Sequence, residues 1–162
     1  PELLITSSCS KNFGLYRDRT GALIVCAKDA EKLTDVRSQL AHIARNLWST
    51  PPDHGAAVVA TILGDPQLKQ QWADEVEAMR QRIAQLRSGL VEALEPHGLR
   101  ERFAHIGVQR GMFSYTGLSP EQVKKLREQH SVYMVSSGRA NVAGIDATRL
   151  DLLAEAIADV CK

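Results

Sequence analysis

Lys11 stands between Ser8, Ser10 and Arg19 in the stretch Ser8-Cys9-Ser10-Lys11-Asn12-Phe13-Gly14-Leu15-Tyr16-Arg17-Asp18-Arg19. A lysine amine can form a Schiff base with an aldehyde. Serine hydroxyls and an arginine fork can hold a phosphate. An aldehyde and a phosphate on one small molecule describe pyridoxal phosphate. A surface loop with ordinary charges accounts for the same residues, since Ser, Lys and Arg are common in loops.

Apolar runs flank this stretch, Leu3-Leu4-Ile5 before it and Ala22-Leu23-Ile24-Val25 after it. They predict two buried strands, Glu2–Thr6 and Ala22–Ala27, joined by the lysine loop. Asp29 caps a helix predicted over Ala30–Leu47, with Leu33, Val36, Leu40, Ile43, Ala44 and Leu47 at helical spacing. Pro51-Pro52 breaks it. A short helix is predicted over Ala56–Leu63, ended by Gly64.

Asp65-Pro66 is a strong helix start. Leu68, Trp72, Val76, Met79, Ile83, Leu86, Leu90 and Leu94 follow at spacings of three and four. The helix would be about 45 Å long, enough to bridge two domains. Beyond Gly98 the pattern is mixed. It predicts an edge strand over Phe103–Val108 and strands over Met112–Tyr115, Val132–Val135 and Asn141–Ala143. Ser119-Pro120-Glu121-Gln122 is a capping box opening a helix to about Gln129. A last helix opens at Asp146 or Thr148, with Leu150, Leu153, Ile157 and Val160 on one face.

The 162 residues suffice for one domain with a sizeable core. Hydrophobic residues make up 44% and charged ones 24%, ordinary for a soluble chain. The net charge of +1 makes no case for nucleic acid or a membrane surface. No apolar run approaches the ~20 residues of a membrane span. Cys9, Cys26 and Cys161 are odd in number and widely spaced, which suits reduced thiols in the cytoplasm. No His/Cys cluster suggests a metal.

Four segments together resemble the aspartate and aromatic aminotransferases. The first, Ser-x-Ser-Lys-Asn-Phe-Gly-Leu-Tyr-x-x-Arg at positions 8–19, looks like that family's cofactor-lysine signature. The others are Trp48-Ser49-Thr50-Pro51-Pro52-Asp53-His54-Gly55, Gln109-Arg110-Gly111-Met112-Phe113-Ser114-Tyr115-Thr116-Gly117-Leu118 and Ser137-Gly138-Arg139-Ala140-Asn141-Val142-Ala143-Gly144. The resemblance implies an α/β fold, the C-terminal part of a pyridoxal-phosphate-dependent transferase. Residues 1–78 would be the end of the large cofactor-binding domain and residues 79–162 the small domain, with the long helix leading from one to the other.

The resemblance also implies roles. Lys11 would be the Schiff-base lysine, displaced by the substrate amine and then moving a proton between the substrate Cα and the cofactor C4′. To act as a neutral amine at pH 7 it needs surroundings that disfavour its charge. Ser8 and Arg19 would hold the phosphate of pyridoxal 5'-phosphate, with Ser10 a further candidate; a salt bridge of Arg19 with Asp18 and simple capping by the serines are the plain alternatives. Tyr16 would be the active-site tyrosine or a packing residue. Arg139 would pair bidentately with the substrate α-carboxylate, with Gly138 allowing close approach. Asn141 would support that loop and Phe113 would wall the pocket. Arg45 would reach into the neighbouring subunit of a homodimer to meet a dicarboxylate side chain; the alternative is an arginine set against a helix dipole. Thr50, where the aspartate-selective branch commonly has asparagine, leans toward aromatic or broad specificity.

The implied activity is transfer of an amino group between aspartate or an aromatic amino acid and a 2-oxo acid such as 2-oxoglutarate. The aspartate on the pyridine nitrogen, the tyrosine on the phenolic oxygen, the stacked aromatic and the phosphate loop would lie upstream of Pro1. The isolated chain is therefore expected to be catalytically weak or inactive, with its opening strand exposed. The rival readings are a non-catalytic fragment or interaction module, and another lysine Schiff-base enzyme such as a decarboxylase.

Overall fold

A computed structural model of the chain describes residues 2–162. The chain divides into two compact units, Pro1–Asp74 and Glu75–Lys162.

In the first unit, β1 (Leu3–Ser8) and β2 (Gly21–Cys26) form an antiparallel hairpin, with Leu3 opposite Cys26 and Ser8 opposite Gly21. Both strands fall where expected, but neither is buried. Leu3, Leu4, Ile5, Leu23 and Ile24 are all exposed, because a two-stranded sheet leaves both faces uncovered within this unit.

The helix α1 (Ala30–Trp48) starts at Asp29, whose side chain accepts from the Glu31 N–H at 2.9 Å. Its expected apolar face is only half covered. Leu33, Val36, Leu40 and Ala44 are half-buried, while Ile43 and Leu47 are exposed. The helix α2 (His54–Gly64) follows the prolines. Asp65 then serves two ends. Its N–H donates to the Thr61 carbonyl, and its carboxylate accepts from Gln67 and Leu68 N–H at 2.8 and 3.0 Å. This is the N-cap of α3 (Pro66–Ala93), 28 residues and about 42 Å long. The division between the units falls inside this helix.

The second unit holds the core. Leu90, Leu94, Phe103, Ile106, Leu118, Leu126 and Ile157 are among its buried residues. The helix α4 (Arg100–Val108) replaces the edge strand expected over Phe103–Val108. Leu99, Phe103 and Ile106 recur at spacings of four and three, so a helix turns them all inward, whereas a strand would put Phe103 and Ile106 on opposite faces.

The strand β3 (Phe113–Tyr115) pairs antiparallel with β4 (Arg139–Asn141). β4 starts two residues earlier than expected, since Val142–Gly144 closes into a 3-10 turn. Between them lies α5 (Pro120–His130), whose capping box is complete. The Ser119 hydroxyl accepts from Gln122 N–H, and the Gln122 side chain accepts from Ser119 N–H.

The strand expected over Val132–Val135 is not formed. Ser131 turns the chain at φ 55°, and the Gly138 N–H closes onto the Val135 carbonyl at 2.9 Å. Val132 and Met134 still pack on the core, but no strand lies alongside among the described residues. Asp146 caps a 3-10 turn at Ala147–Arg149, and α6 (Leu150–Cys161) ends the chain. No helix among the described residues is long and apolar enough to cross a membrane, and no cluster of three metal-ligating side chains forms there.

Three outcomes follow from this packing. Phe103 is fully buried, so Phe103→Ala should cost about 3–5 kcal/mol in urea unfolding of the second unit; a loss below about 1 kcal/mol would contradict its place in the core. Gly138 sits at φ 79°, and a Cβ there would lie 2.9 Å from the Leu118 carbonyl oxygen. Gly138→Ala should therefore destabilise the same transition by about 1–3 kcal/mol. Finally, the hydrogen bond from His130 holds the Asp159 carboxyl below its ordinary value of 3.8, with Lys162 adding to the effect and burial opposing it. A depressed carboxylate stabilises the fold above its ordinary value, and that contribution is lost as pH falls through the lower folded value. His130→Gln should move the Asp159 titration, followed by carboxyl NMR, up toward 3.8.

Candidate functional site

The first group of residues sits on the connection between β1 and β2. That connection is folded on itself by the Cys9 backbone. Its N–H donates to the Thr20 carbonyl at 3.0 Å, and its carbonyl accepts from both Phe13 and Leu15 N–H at 3.3 Å. Lys11 is thereby put at the apex of a tight turn, closed by Gly14 N–H onto the Lys11 carbonyl, with Gly14 at φ 68°. The Lys11 side chain is exposed, and its Nζ lies 4.6 Å from the centre of the Tyr16 ring. The ring face attracts a cation there and keeps the amine over the loop.

Ser8 and Ser10, just before Lys11 in the chain, come together. The Ser8 hydroxyl donates to the Ser10 hydroxyl at 3.0 Å and accepts from the Ser10 N–H at 3.2 Å. Ser10 is buried and Ser8 exposed. Arg19 is exposed and donates from Nη1 to the Tyr16 carbonyl at 2.9 Å. Its backbone is left-handed at φ 52°, a disfavoured conformation for arginine. The salt bridge weighed between Arg19 and Asp18 is not the one formed. Asp18 pairs instead with His54 at 3.0 Å.

Two further contacts brace this loop, and the sequence alone did not single them out. The Phe13 ring stacks on Trp72 at 4.6 Å with an interplanar angle of 12°. The Trp72 Nε1–H donates to the Asn12 carbonyl at 2.8 Å, next to Lys11. In the sequence Trp72 reads only as one member of an apolar helical stripe. At the other end, Gly55 is buried against the loop, where a Cβ would come within 2.7 Å of Asp18 Cβ. The start of α2 and the Asp18–Thr20 segment thus fit only with glycine between them. Arg45 lies exposed in the last turn of α1, and its carbonyl accepts from the Ser49 N–H at 2.8 Å.

The second group lies on β3 and β4. Arg139 is exposed, with its guanidinium carbon 4.9 Å from the centre of the Phe113 ring. Gly138 stands just before it, at φ 79°. Its carbonyl accepts from both the backbone and the hydroxyl of Thr116, at 2.9 and 2.8 Å, and its missing side chain leaves room for Leu118. Asn141 accepts from the Ala143 N–H at 3.1 Å and so shapes the turn after β4. Phe113, Arg139, Val132, Tyr133 and Met134 line an open groove of about 1070 Å³. An exposed guanidinium at such a groove offers a planar fork suited to a carboxylate.

Sequence reasoning also passed over Arg82 and Arg87 of α3. Arg87 is only 2% exposed, and its guanidinium donates to the Ile106, Gly111 and Phe113 carbonyls at 2.9, 2.7 and 2.9 Å and to the Ser114 hydroxyl. Its position was the available signal, since it follows Ile83 by four residues and precedes Leu90 by three. Arg82 donates to the Ala143 and Ile145 carbonyls at 3.0 and 3.2 Å.

The sequence matches the family Aminotransferase class I and II over residues 1–157. It is 77% identical to the aromatic-amino-acid aminotransferase of Pseudomonas aeruginosa, over 99% of this chain and 40% of that protein. It is 45% identical to the aspartate aminotransferase of Haemophilus influenzae, over 98% of this chain and 40% of that protein. Among solved structures, the aromatic-amino-acid aminotransferase of Burkholderia pseudomallei, covalently bound to pyridoxal phosphate, matches with a TM-score of 0.90 and 44% identity, over 99% of this chain and 40% of that one. The mixed helix and strand architecture is thus that of solved aminotransferases, and the chain spans about 40% of the length of these relatives. The chain belongs to the aminotransferase class I and II family.

Proposed function

We propose that this chain forms the C-terminal part of a pyridoxal-phosphate-dependent aminotransferase that exchanges an amino group between aspartate or an aromatic amino acid and a 2-oxo acid such as 2-oxoglutarate. The observation that carries this reading is that one braced hairpin connection and the strand end before it carry an exposed amine, a hydrogen-bonded pair of hydroxyls and an exposed arginine fork. That donor set suits pyridoxal 5'-phosphate. An aldehyde needs an amine, and a phosphate dianion needs hydroxyl donors and a fixed cation. The chain's own shortfall is consistent with it: about three fifths of a relative's length lies outside these residues.

Lys11 would hold the aldehyde carbon of the cofactor, and Ser8, Ser10 and Arg19 its phosphate. Bound there, the cofactor supplies an electron sink for the pair left at the substrate Cα. As a free amine, Lys11 would be the group that takes and returns the proton at the substrate Cα. Arg139 fixes the substrate α-carboxylate with its fork, and Phe113 walls the pocket behind it. Arg45 serves the side-chain carboxylate of a dicarboxylate in the neighbouring subunit of a homodimer. Residues 1–78 act as the remainder of the cofactor-binding domain and residues 79–162 as the small domain. The enzyme works in the cytoplasm. A further segment supplies the groups that hold the cofactor ring, and the 162 residues alone turn over weakly or not at all.

The experiment is to add pyridoxal phosphate to the chain, reduce with borohydride and map the labelled peptides. The expected result is a new absorbance band bleached by reduction, with label on Lys11 that disappears in Lys11→Ala. Label spread over surface lysines such as Lys124 and Lys125, with none favoured, would overturn the assignment of Lys11. Assays with aspartate and with phenylalanine as amino donor then separate the two specificities.

A further inference from the structure

Arg87 reaches from α3 to the strand that carries Phe113, and Arg82 to the turn that follows the strand carrying Arg139. Arg87 meets the β3 side, through the Gly111 and Phe113 carbonyls and the Ser114 hydroxyl, and ties it to α4 through the Ile106 carbonyl. Arg82 meets the chain just after β4, at the Ala143 and Ile145 carbonyls. Between these anchors runs the ladder that sets Phe113 opposite Asn141 and Tyr115 opposite Arg139.

A guanidinium is a costly way to fill a core position. Burial works against its charge and lowers its pKa, and the Nε–H of Arg87 finds no acceptor among the described residues. An apolar side chain of similar volume on the same stripe would avoid that cost and often leaves stability unchanged or improved. What an apolar side chain lacks is direction. The planar fork accepts only carbonyls in set positions, so β3 cannot slide along α3 or rotate about its axis without breaking hydrogen bonds. The Phe113 ring rides on that strand, and the Arg139 guanidinium packs over the ring.

We propose that Arg87 is a positioning residue for Arg139: its buried fork fixes the backbone of β3, and through the β3–β4 ladder and the Phe113 ring it sets where the Arg139 guanidinium stands. The link to catalysis rests on the reading of Arg139 as the carboxylate-binding arginine.

The test compares Arg87→Met, Arg87→Lys and, as a control, Arg80→Gln in the isotope-labelled 162-residue chain. Arg80 pairs with Glu77 on the exposed side of α3. Amide hydrogen exchange is read at the β3–β4 ladder and at Val142, whose N–H donates to the Met112 carbonyl, against the amides of α5 and α6. NMR of the Arg139 Nε–H reports its setting, and titration with 3-phenylpropionate reports carboxylate binding.

In Arg87→Met the ladder amides should exchange about tenfold faster or more, as for loss of hydrogen bonds to a charged group, with α6 within about twofold of wild type. The Arg139 signal should shift, and the 3-phenylpropionate Kd should rise about tenfold. Arg87→Lys should restore part of each change, and Arg80→Gln should produce none. Unchanged ladder exchange and an unshifted Arg139 signal in Arg87→Met would overturn the proposal. So would equal acceleration of every amide in the second unit, which marks a residue that only stabilises. If the ladder and Arg139 respond as expected but 3-phenylpropionate does not bind the wild-type chain, the positioning role stands and the carboxylate role of Arg139 falls.

Discussion

A charge buried in protein has to be met on nearly every side by acceptors, and this requirement shapes the second unit. Arg87 lies among Leu86, Leu90 and Val91 on α3. Its fork is satisfied only when the carbonyls of Ile106, Gly111 and Phe113 converge on it. Those carbonyls belong to the end of α4, the turn that follows and the first residue of β3. Helix α4 must therefore stop near Val108, and the chain must turn at Gly111, where φ is 80°, before β3 can begin. The apolar core supplies most of the free energy of this unit, but it is non-directional. The fork adds the direction.

The first unit is organised differently. It has almost no buried apolar side chain, and its order comes from backbone hydrogen bonds and a few specific contacts. One carbonyl, that of Cys9, receives two N–H groups and closes the loop. One aromatic stack, Phe13 on Trp72, pins it. One glycine, Gly55, lets the start of α2 sit against Asp18 and Thr20. Such a unit holds its loop precisely while leaving the hairpin and one side of α1 uncovered.

Local chemistry made several elements legible in the sequence. Asp65-Pro66 and Ser119-Pro120-Glu121-Gln122 are self-contained signals, because the cap and the groups it satisfies lie within four residues. Both helices begin where those residues say. The lysine loop was legible because its signature is long and contiguous. Phe103–Val108 was misread because a β-branched, aromatic run of six residues cannot be separated from a short buried helix without knowing what lies on each side of it. Val132–Val135 is a short continuous apolar run that suits a strand, but a strand also needs a partner, and the partner is a tertiary fact. Arg87 escaped notice because its place in the helical stripe says only that the position faces inward, and an arginine there reads as a polar interruption. Only the converging carbonyls, some nineteen to twenty-six positions away, reveal its purpose.

The left-handed backbone at Arg19 carries a trade-off. Arginine in that conformation costs about 1–2 kcal/mol, a cost that glycine would not incur. On stability grounds alone the position is a poor place for arginine, and relieving such strain is a familiar route to a more robust protein. Any campaign to harden this fold by backbone compatibility would reach position 19 early, and would discard the guanidinium together with the strain. Thermal robustness and the retention of a guanidinium therefore pull against each other at a single residue. A variant library sorted on folding alone would drift away from the guanidinium at this position.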